Sequence, residues 1–212
     1  MSYIVLSETE LNRIAAPSLP LAPEQWDRQY QDQFSNVLRL YFNRLDDFVA
    51  RLDTLSVPYG AFSSGVDQTT TANTATLMTL NTTDFSNDVS IATSKITVAT
   101  AGIYNLQFSV QLESNSNAAQ DVFIWLKQNG VDIAGSTGKV GIPARKGVGD
   151  PFHGIYGWNY FVSLAAGQYI EIYWSTTSAD VSIQFYPASA TPTKPATQSV
   201  VATLSFVSAL PT

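Results

Sequence analysis

The spacing of apolar residues changes near Pro58, which separates the chain into two parts. Between residues 23 and 55, apolar side chains recur every three or four positions, the spacing of an amphipathic helix. From residue 58 onward, short runs alternate between apolar and polar side chains, the spacing of half-buried strands. The sequence therefore predicts an all-β domain that follows one helix of about 50 Å.

The predicted helix begins at Pro23, because proline is favoured at the first helical position. Its apolar stripe consists of Trp26, Tyr30, Phe34, Val37, Tyr41, Leu45, Phe48, Leu52 and Leu55. Steps of 11 residues along the first part of this stripe favour a nearly straight or weakly right-handed bundle. The wide, aromatic stripe favours three or more helices. We therefore expect residues 23–57 to form a helical stalk that associates with copies of itself; packing on its own domain is the alternative.

Residues 1–22 precede the stalk and combine apolar residues with two prolines, immediately followed by a third at Pro23. Such a segment reads as an extended arm. We predict that it docks on another protein, and a disordered tail is the alternative. The residues predicted to dock are Ile4, Val5, Leu6, Leu19 and Leu21.

Residues 58–212 contain eight or so predicted strands separated by turns. The clearest runs from Ile103 to Leu112 with strict alternation, and Val122–Leu126 is apolar on both faces. A strand of the second kind needs two covers, and a neighbouring subunit is one candidate. Asn129-Gly130 predicts a tight hairpin turn. The fold class predicted for this domain is a β-sandwich or jelly roll.

Charge and cysteine content exclude several functions. Charged residues make up 13% of the 212 residues and the net charge is −6, so the electrostatic footprint of a nucleic-acid-binding protein is missing. Attraction to anionic membranes is disfavoured for the same reason, and no apolar run is long enough for membrane insertion. The chain has no cysteine, which fits synthesis in a reducing cytoplasm.

No arrangement of residues predicts catalysis or a cofactor. The one histidine, His153, has no Gly-x-Ser-x-Gly motif to accompany it, and the acidic residues of the head are scattered among turns and strand edges. Asp84 and Asp88 share one loop, for which solvated turn residues are favoured over a calcium site. We expect neither enzyme activity nor a bound metal.

One basic cluster stands out in the predicted head. Lys139, Arg145 and Lys146 lie in the Gly-rich segment 135–150, which is predicted to be a mobile loop. A solvated loop is the default interpretation. If the head contacts an anionic host polysaccharide, these three residues are the candidates for that contact.

The head resembles a TNF-like jelly roll, the trimeric head of tumour necrosis factor and of the complement collagen-like proteins. The resemblance covers about residues 58–208 and rests on three segments in order. These are Ile96–Tyr104 with its Gly102 before an aromatic residue, Phe123–Gly130 with its hairpin, and Leu164–Ile172 with its Ala-Gly turn. Gln168 stands in the last segment where an acidic residue is usual.

Among such heads, this chain is similar to those of bacteriophage virion proteins. The cues are the Asn-Gly hairpin after Ile124-Trp125-Leu126-Lys127, the lack of cysteine, and the segments Leu21–Trp26 and Leu38–Asn43. The resemblance implies a homotrimer in the virion, made in the cytoplasm of the host bacterium. It also implies attachment to other virion proteins through the N-terminal part and an outward head.

The resulting hypothesis is a tail or head fibre with a docking arm (1–22), a helical stalk (23–57) and a jelly-roll head (58–212) that contacts a host surface glycan or protein. Two alternatives stay open. One is a capsid decoration or assembly protein without receptor binding, and the other is a free carbohydrate-binding module.

Overall fold

The structure is a computed structural model that describes residues 17–21, 23–53 and 57–210. The chain divides into two units, Met1–Ser56 and Val57–Thr212. In the described ranges the fold is mainly β, as predicted, with antiparallel pairing within the sheets and one helix in the first unit.

Helix α1 spans Arg28–Asp53 and begins later than the predicted start at Pro23. Asp27 sets the start, because its Oδ1 accepts a hydrogen bond of 2.8 Å from the backbone N–H of Gln29. This is the bond of an N-cap residue, and it satisfies a donor that the first turn leaves free. The prediction from proline position was therefore wrong by five residues, and Trp26 precedes the helix instead of lying on its stripe.

The described part of the second unit, residues 57–210, contains sixteen strands. In chain order they are β1 (Tyr59–Ser64), β2 (Gln68–Thr69), β3 (Thr76–Leu77), β4 (Thr82–Asn87), β5 (Val89–Ala92), β6 (Lys95–Val98), β7 (Gly102–Ser114), β8 (Gln120–Gln128), β9 (Val131–Asp132), β10 (Gly138–Ile142), β11 (Phe152–Leu164), β12 (Tyr169–Thr176), β13 (Val181–Ile183), β14 (Ser189–Ala190), β15 (Thr193–Lys194) and β16 (Val200–Ser208).

Two seven-stranded antiparallel sheets share one core. In sheet A, β4, β1, β16, β7 and β11 are neighbours in that order, and β13 extends the β16 side of β7 and carries β2. In sheet B, the order is β10, β8, β12, β6 and β5, with β9 beside β8 and β3 beside β12. Buried side chains of both sheets, among them Tyr104 and Trp174, form a single cluster. The arrangement is that of a β-sandwich.

Strand β7 runs through the middle of sheet A and confirms the alternation read from the sequence. Its even-numbered residues are buried and its odd-numbered residues face outward. The predicted hairpin at Asn129-Gly130 is also confirmed, because β8 and β9 pair across it and both residues have positive φ. The core-facing and outward-facing sides of each strand are therefore known, and they define the surfaces described next.

Two loop predictions for the head were wrong. Asp84, expected to share a loop with Asp88, lies on β4, and Asp88 directly follows that strand. The Gly-rich segment 135–150 was expected to be a loop, but β10 occupies Gly138–Ile142 and pairs with β8 along its length. Lys139 consequently lies on a strand and not in a loop.

Candidate interaction surfaces

The apolar stripe of α1 is partly open to solvent. Tyr30, Phe34, Val37, Tyr41 and Leu45 are all half-buried, and no side chain described in α1 is fully buried. Tyr30 and Phe34 stack with ring centroids 6.1 Å apart, as expected of residues four apart on a helix. The described part of the stripe is thus a continuous apolar surface without a complete cover.

Of the four other members of the predicted stripe, one is exposed and three have side chains outside the described part of the chain. Trp26 is 80% exposed in the segment before the helix. Phe48 and Leu52 belong to α1, but their side chains lie outside the described part of the chain. Leu55 also lies outside the described residues.

The predicted docking residues are described only in part. Ile4, Val5 and Leu6 lie outside the described residues. Leu19 and Leu21 are both exposed, and Leu21 is 95% accessible. Two apolar side chains of the predicted arm are therefore available to a partner.

The three basic residues predicted to face a ligand do not form one cluster. Lys139 Nζ lies 2.9 Å from Asp121 Oδ2, across the pair of strands β10 and β8. Arg145 is half-buried and its backbone N–H bonds Ser116, whereas Lys146 is exposed. The charge of Lys139 is neutralised locally, which weakens the case for an anion-binding loop.

The outer face of sheet A is nearly uncharged. Asn105, Gln107 and Ser109 of β7 line up with Asn159 of β11 and Thr203 of β16. Four exposed apolar residues, Ile155, Phe161, Val201 and Val207, border these polar residues on β11 and β16. A shallow concavity of about 540 Å³ lies over this region. The Oδ1 atom of Asn105 is buried, and no donor among the described residues bonds it.

The outer face of sheet B carries aromatic rings beneath lysines. Lys95 Nζ lies 4.5 Å from the centroid of the Tyr169 ring, Lys127 Nζ lies 4.3 Å from that of Tyr173, and Lys139 Nζ lies 5.7 Å from that of Phe123. These distances are those of cation–π contacts. The sequence had indicated that β8 needs a second cover, and side chains of the same face supply part of it.

Trp125 adds to that cover. Its ring centroid lies 5.8 Å from that of Tyr173, its cross-strand partner, and its Nε1–H donates a hydrogen bond of 2.7 Å to Asp132 Oδ1. Lys127 Nζ lies 3.5 Å from the same Asp132 oxygen. We call Lys95, Trp125, Lys127, Tyr169, Glu171 and Tyr173 together the aromatic–lysine face.

His153, for which the sequence predicted no catalytic role, lies on β11 and belongs to a hydrogen-bonded group. Its Nδ1 lies 2.8 Å from the hydroxyl of Tyr186 and 3.5 Å from Glu113 Oε2. The Tyr186 hydroxyl donates a bond of 3.0 Å to the same Glu113 oxygen. Burial, followed by the bond to the Glu113 carboxylate, raises the pKa of Tyr186 well above its ordinary value. The group ties the chain after β13 to the end of sheet A.

Sequence reasoning missed both the His153 group and the aromatic–lysine face. Their residues are far apart in the chain, and only the strand register brings Lys127 opposite Glu171 and Trp125 opposite Tyr173. One signal was available. Tyr169, Glu171 and Tyr173 alternate in the sequence with apolar residues, the spacing of a strand with one face in the core.

No cluster of three or more potential metal ligands occurs among the residues that the structure describes. In the same residues, no helix is both long and apolar enough to cross a membrane. Comparisons with known protein families and with curated proteins found no match for this chain.

Proposed function

We propose that this chain is a structural component of a bacteriophage virion, a homotrimeric tail or head fibre whose head contacts the host surface. One observation carries the proposal. The same chain contains a β-sandwich and a helix, and the described apolar stripe of the helix lacks a complete cover. A helix and a head of this kind suit an oligomer that projects from a particle. No catalytic role or cofactor is assigned to it.

The stripe of α1 supports self-association. A soluble helix normally buries its apolar face, and the half-buried positions from Tyr30 to Leu45 are the ones that a bundle of identical helices would cover. Three further apolar residues of α1 are exposed and widen its apolar surface: Leu40, Phe42 and Val49. A wide apolar surface favours three helices over two.

The strand order supports a TNF-like jelly roll. The order β4-β1-β16-β7-β11 in sheet A and β5-β6-β12-β8-β10 in sheet B places the first and last long strands side by side. Successive long strands often lie in different sheets, as in the Greek-key connections of jelly rolls. The proposed head is a jelly roll that trimerises.

The outer face of sheet A supports contact between heads. Its uncharged side chains cost little to desolvate, and its exposed apolar residues, such as Phe161, favour burial. The buried Oδ1 of Asn105 has no donor within the described chain, so a donor from a second copy would remove an energetic penalty.

Attachment to the particle is assigned to residues 1–22, through the docking residues named above. Contact with the host is assigned to the head, with a surface glycan or protein as the partner. Three heads on one fibre, and many fibres on one particle, would convert weak single contacts into stable adsorption.

Deletion of residues 1–22 tests the assignment of the arm. The truncated chain is expected to remain trimeric but to be absent from purified particles, as measured by light scattering and by quantitative immunoblotting. The matched control is a full-length chain with Pro17, Pro20 and Pro23 replaced by alanine, which keeps the apolar side chains and is expected to be incorporated. Incorporation of the truncated chain at the normal level would contradict the docking role.

A further inference from the structure

The aromatic–lysine face has an acidic residue at its centre. Tyr169, Glu171 and Tyr173 alternate along β12 with three residues of the core, so they belong to the outer face of sheet B. Glu171 is only 4% exposed although it lies on this outer face. In the described part of the chain it has no hydrogen-bond or ion-pair partner.

The lack of a partner is unexpected, because Lys127 lies directly opposite Glu171 in the register of β8 and β12. Opposite charges at such positions usually pair. Here Lys127 Nζ is directed instead to Asp132, at 3.5 Å, and to the ring of Tyr173.

The lysine on the other side of β12 behaves in the same way. Lys95 precedes Ile96, which pairs with Ile170, so Lys95 is the neighbour of Glu171 on β6. Its Nζ lies over the ring of Tyr169 and 3.5 Å from the Tyr169 hydroxyl. Both adjacent ammonium groups therefore contact tyrosines, and the carboxylate of Glu171 keeps its capacity to accept hydrogen bonds.

We propose that the aromatic–lysine face is a binding site for a neutral hexopyranose. The hydroxyl groups of such a sugar donate to Glu171 and accept from the ammonium groups of Lys95 and Lys127. The apolar C–H face of the sugar ring packs on Tyr169 or Tyr173, which flank the carboxylate on the same strand. A few convergent polar groups beside aromatic rings are typical of small-molecule sites.

Other ligands fit less well. An acidic sugar would bring its charge toward Glu171, and a divalent cation would meet two ammonium groups and a single carboxylate. An apolar peptide would leave Glu171 without a donor, which costs free energy. The charges on the outer face of sheet B cancel. Its three lysines are balanced by three carboxylates: Lys95, Lys127 and Lys139 against Asp121, Asp132 and Glu171.

Access to Glu171 requires the two lysine side chains to move. Both lysines are half-buried, and contacts between a lysine and an aromatic ring are weak unless they are fully desolvated, so a sugar that supplies hydrogen bonds to the same ammonium group can displace them. The proposal rests on the proposed function only for the source of the sugar, a polysaccharide on the host surface.

Saturation-transfer NMR on the full-length protein tests the site. The probes are the methyl glycosides of glucose, mannose and galactose, with methyl glucuronide as the charged comparison. At least one neutral glycoside is expected to give saturable transfer with a dissociation constant of roughly 1 mM, about −4 kcal/mol. Transfer is expected to be strongest for its ring C–H protons.

Three variants locate the binding. Glu171→Gln keeps the size of the side chain but removes the carboxylate, and Tyr173→Leu removes the aromatic ring while keeping an apolar side chain. Each is expected to weaken binding at least tenfold. Val66→Ala, at an exposed apolar residue between β1 and β2 that belongs to neither outer face, is the control and is expected to bind as the unmodified protein does.

Three results would overturn the proposal: no saturable transfer from any neutral glycoside, unchanged binding by folded Glu171→Gln protein, or tighter binding of the glucuronide. Molecular mass is measured on the same samples. A trimer that binds no sugar counts against this site alone, whereas a monomer that binds sugar counts against the fibre.

Discussion

Tyr104 illustrates how one polar atom is accommodated within the core. Its ring is fully buried and contacts Phe206 edge to face, with ring centroids 5.5 Å apart. Its hydroxyl donates a hydrogen bond of 2.6 Å to the backbone oxygen of Thr100. Burial, and to a lesser degree the negative charge of Asp88, raise the pKa of Tyr104 to about 12. The sequence predicted the burial of this residue but not the acceptor of its hydroxyl.

Tyr104 predicts a loss of stability in alkaline solution. The folded protein keeps this hydroxyl protonated to a higher pH than the unfolded chain does, where the pKa is about 10. The raised pKa of Tyr104 therefore stabilises the folded protein. This contribution is complete below about pH 10 and is lost as the pH rises through about 12. The free energy of unfolding in urea should therefore fall between about pH 10 and 12, and less steeply for Tyr104→Phe.

Tyr59→Phe, at an exposed tyrosine of β1, is the control for that measurement and should follow the unmodified protein. At neutral pH, Tyr104→Phe should cost about 1 kcal/mol through the lost hydrogen bond. An equally steep alkaline loss in Tyr104→Phe would show that other groups cause it.

Strands and helix differ in how far the sequence determined them. The sequence predicted β7 because it alternates apolar and polar residues over many positions, and that pattern is local. It missed β10, whose two glycines and Lys139 give no such pattern and whose strand conformation depends on pairing with β8. The start of α1 was misplaced because Pro23 was taken as the first helical residue, whereas the side chain of Asp27 caps a helix that begins at Arg28.

The surfaces could be predicted less well than the elements. The stripe of α1 follows from helical spacing alone, and its half-buried residues from Tyr30 to Leu45 lie where that spacing places them. The aromatic–lysine face depends on which strands are neighbours and on their register, and those follow from the packing of the whole sandwich. Non-local contacts of this kind have no signature within a single segment of sequence.

The stripe of α1 predicts which substitutions in the helix prevent assembly. Phe34→Asp and Tyr41→Asp would each place a charge within the proposed bundle of α1 helices, at a cost of at least about 2 kcal/mol per site. Each variant is expected to shift the protein toward monomer in sedimentation-velocity experiments.

Gln33→Asp provides the matched control for these variants. Gln33 is exposed beside the stripe, so this change introduces the same charge, and at least as great a loss of helix propensity, outside the proposed bundle. The control should assemble normally. Normal assembly of both Phe34→Asp and Tyr41→Asp would exclude the stripe as an oligomer interface.

At the scale of the whole molecule, the described residues form one apolar core and leave two surfaces without a complete cover. Buried apolar residues of both sheets form one cluster within the sandwich. The stripe of α1 and the outer face of sheet A remain open, and each has the composition of a surface that a second copy would cover. The proposed trimeric fibre therefore depends on self-association more than on any single residue.

The mass of the purified full-length protein in solution tests that claim most directly. Light scattering coupled to size-exclusion chromatography should give about three times the 23.0 kDa of one chain, without dependence on concentration across the micromolar range. A stable monomer of 23.0 kDa would contradict the trimeric fibre and would leave a single-chain binding module as the better account.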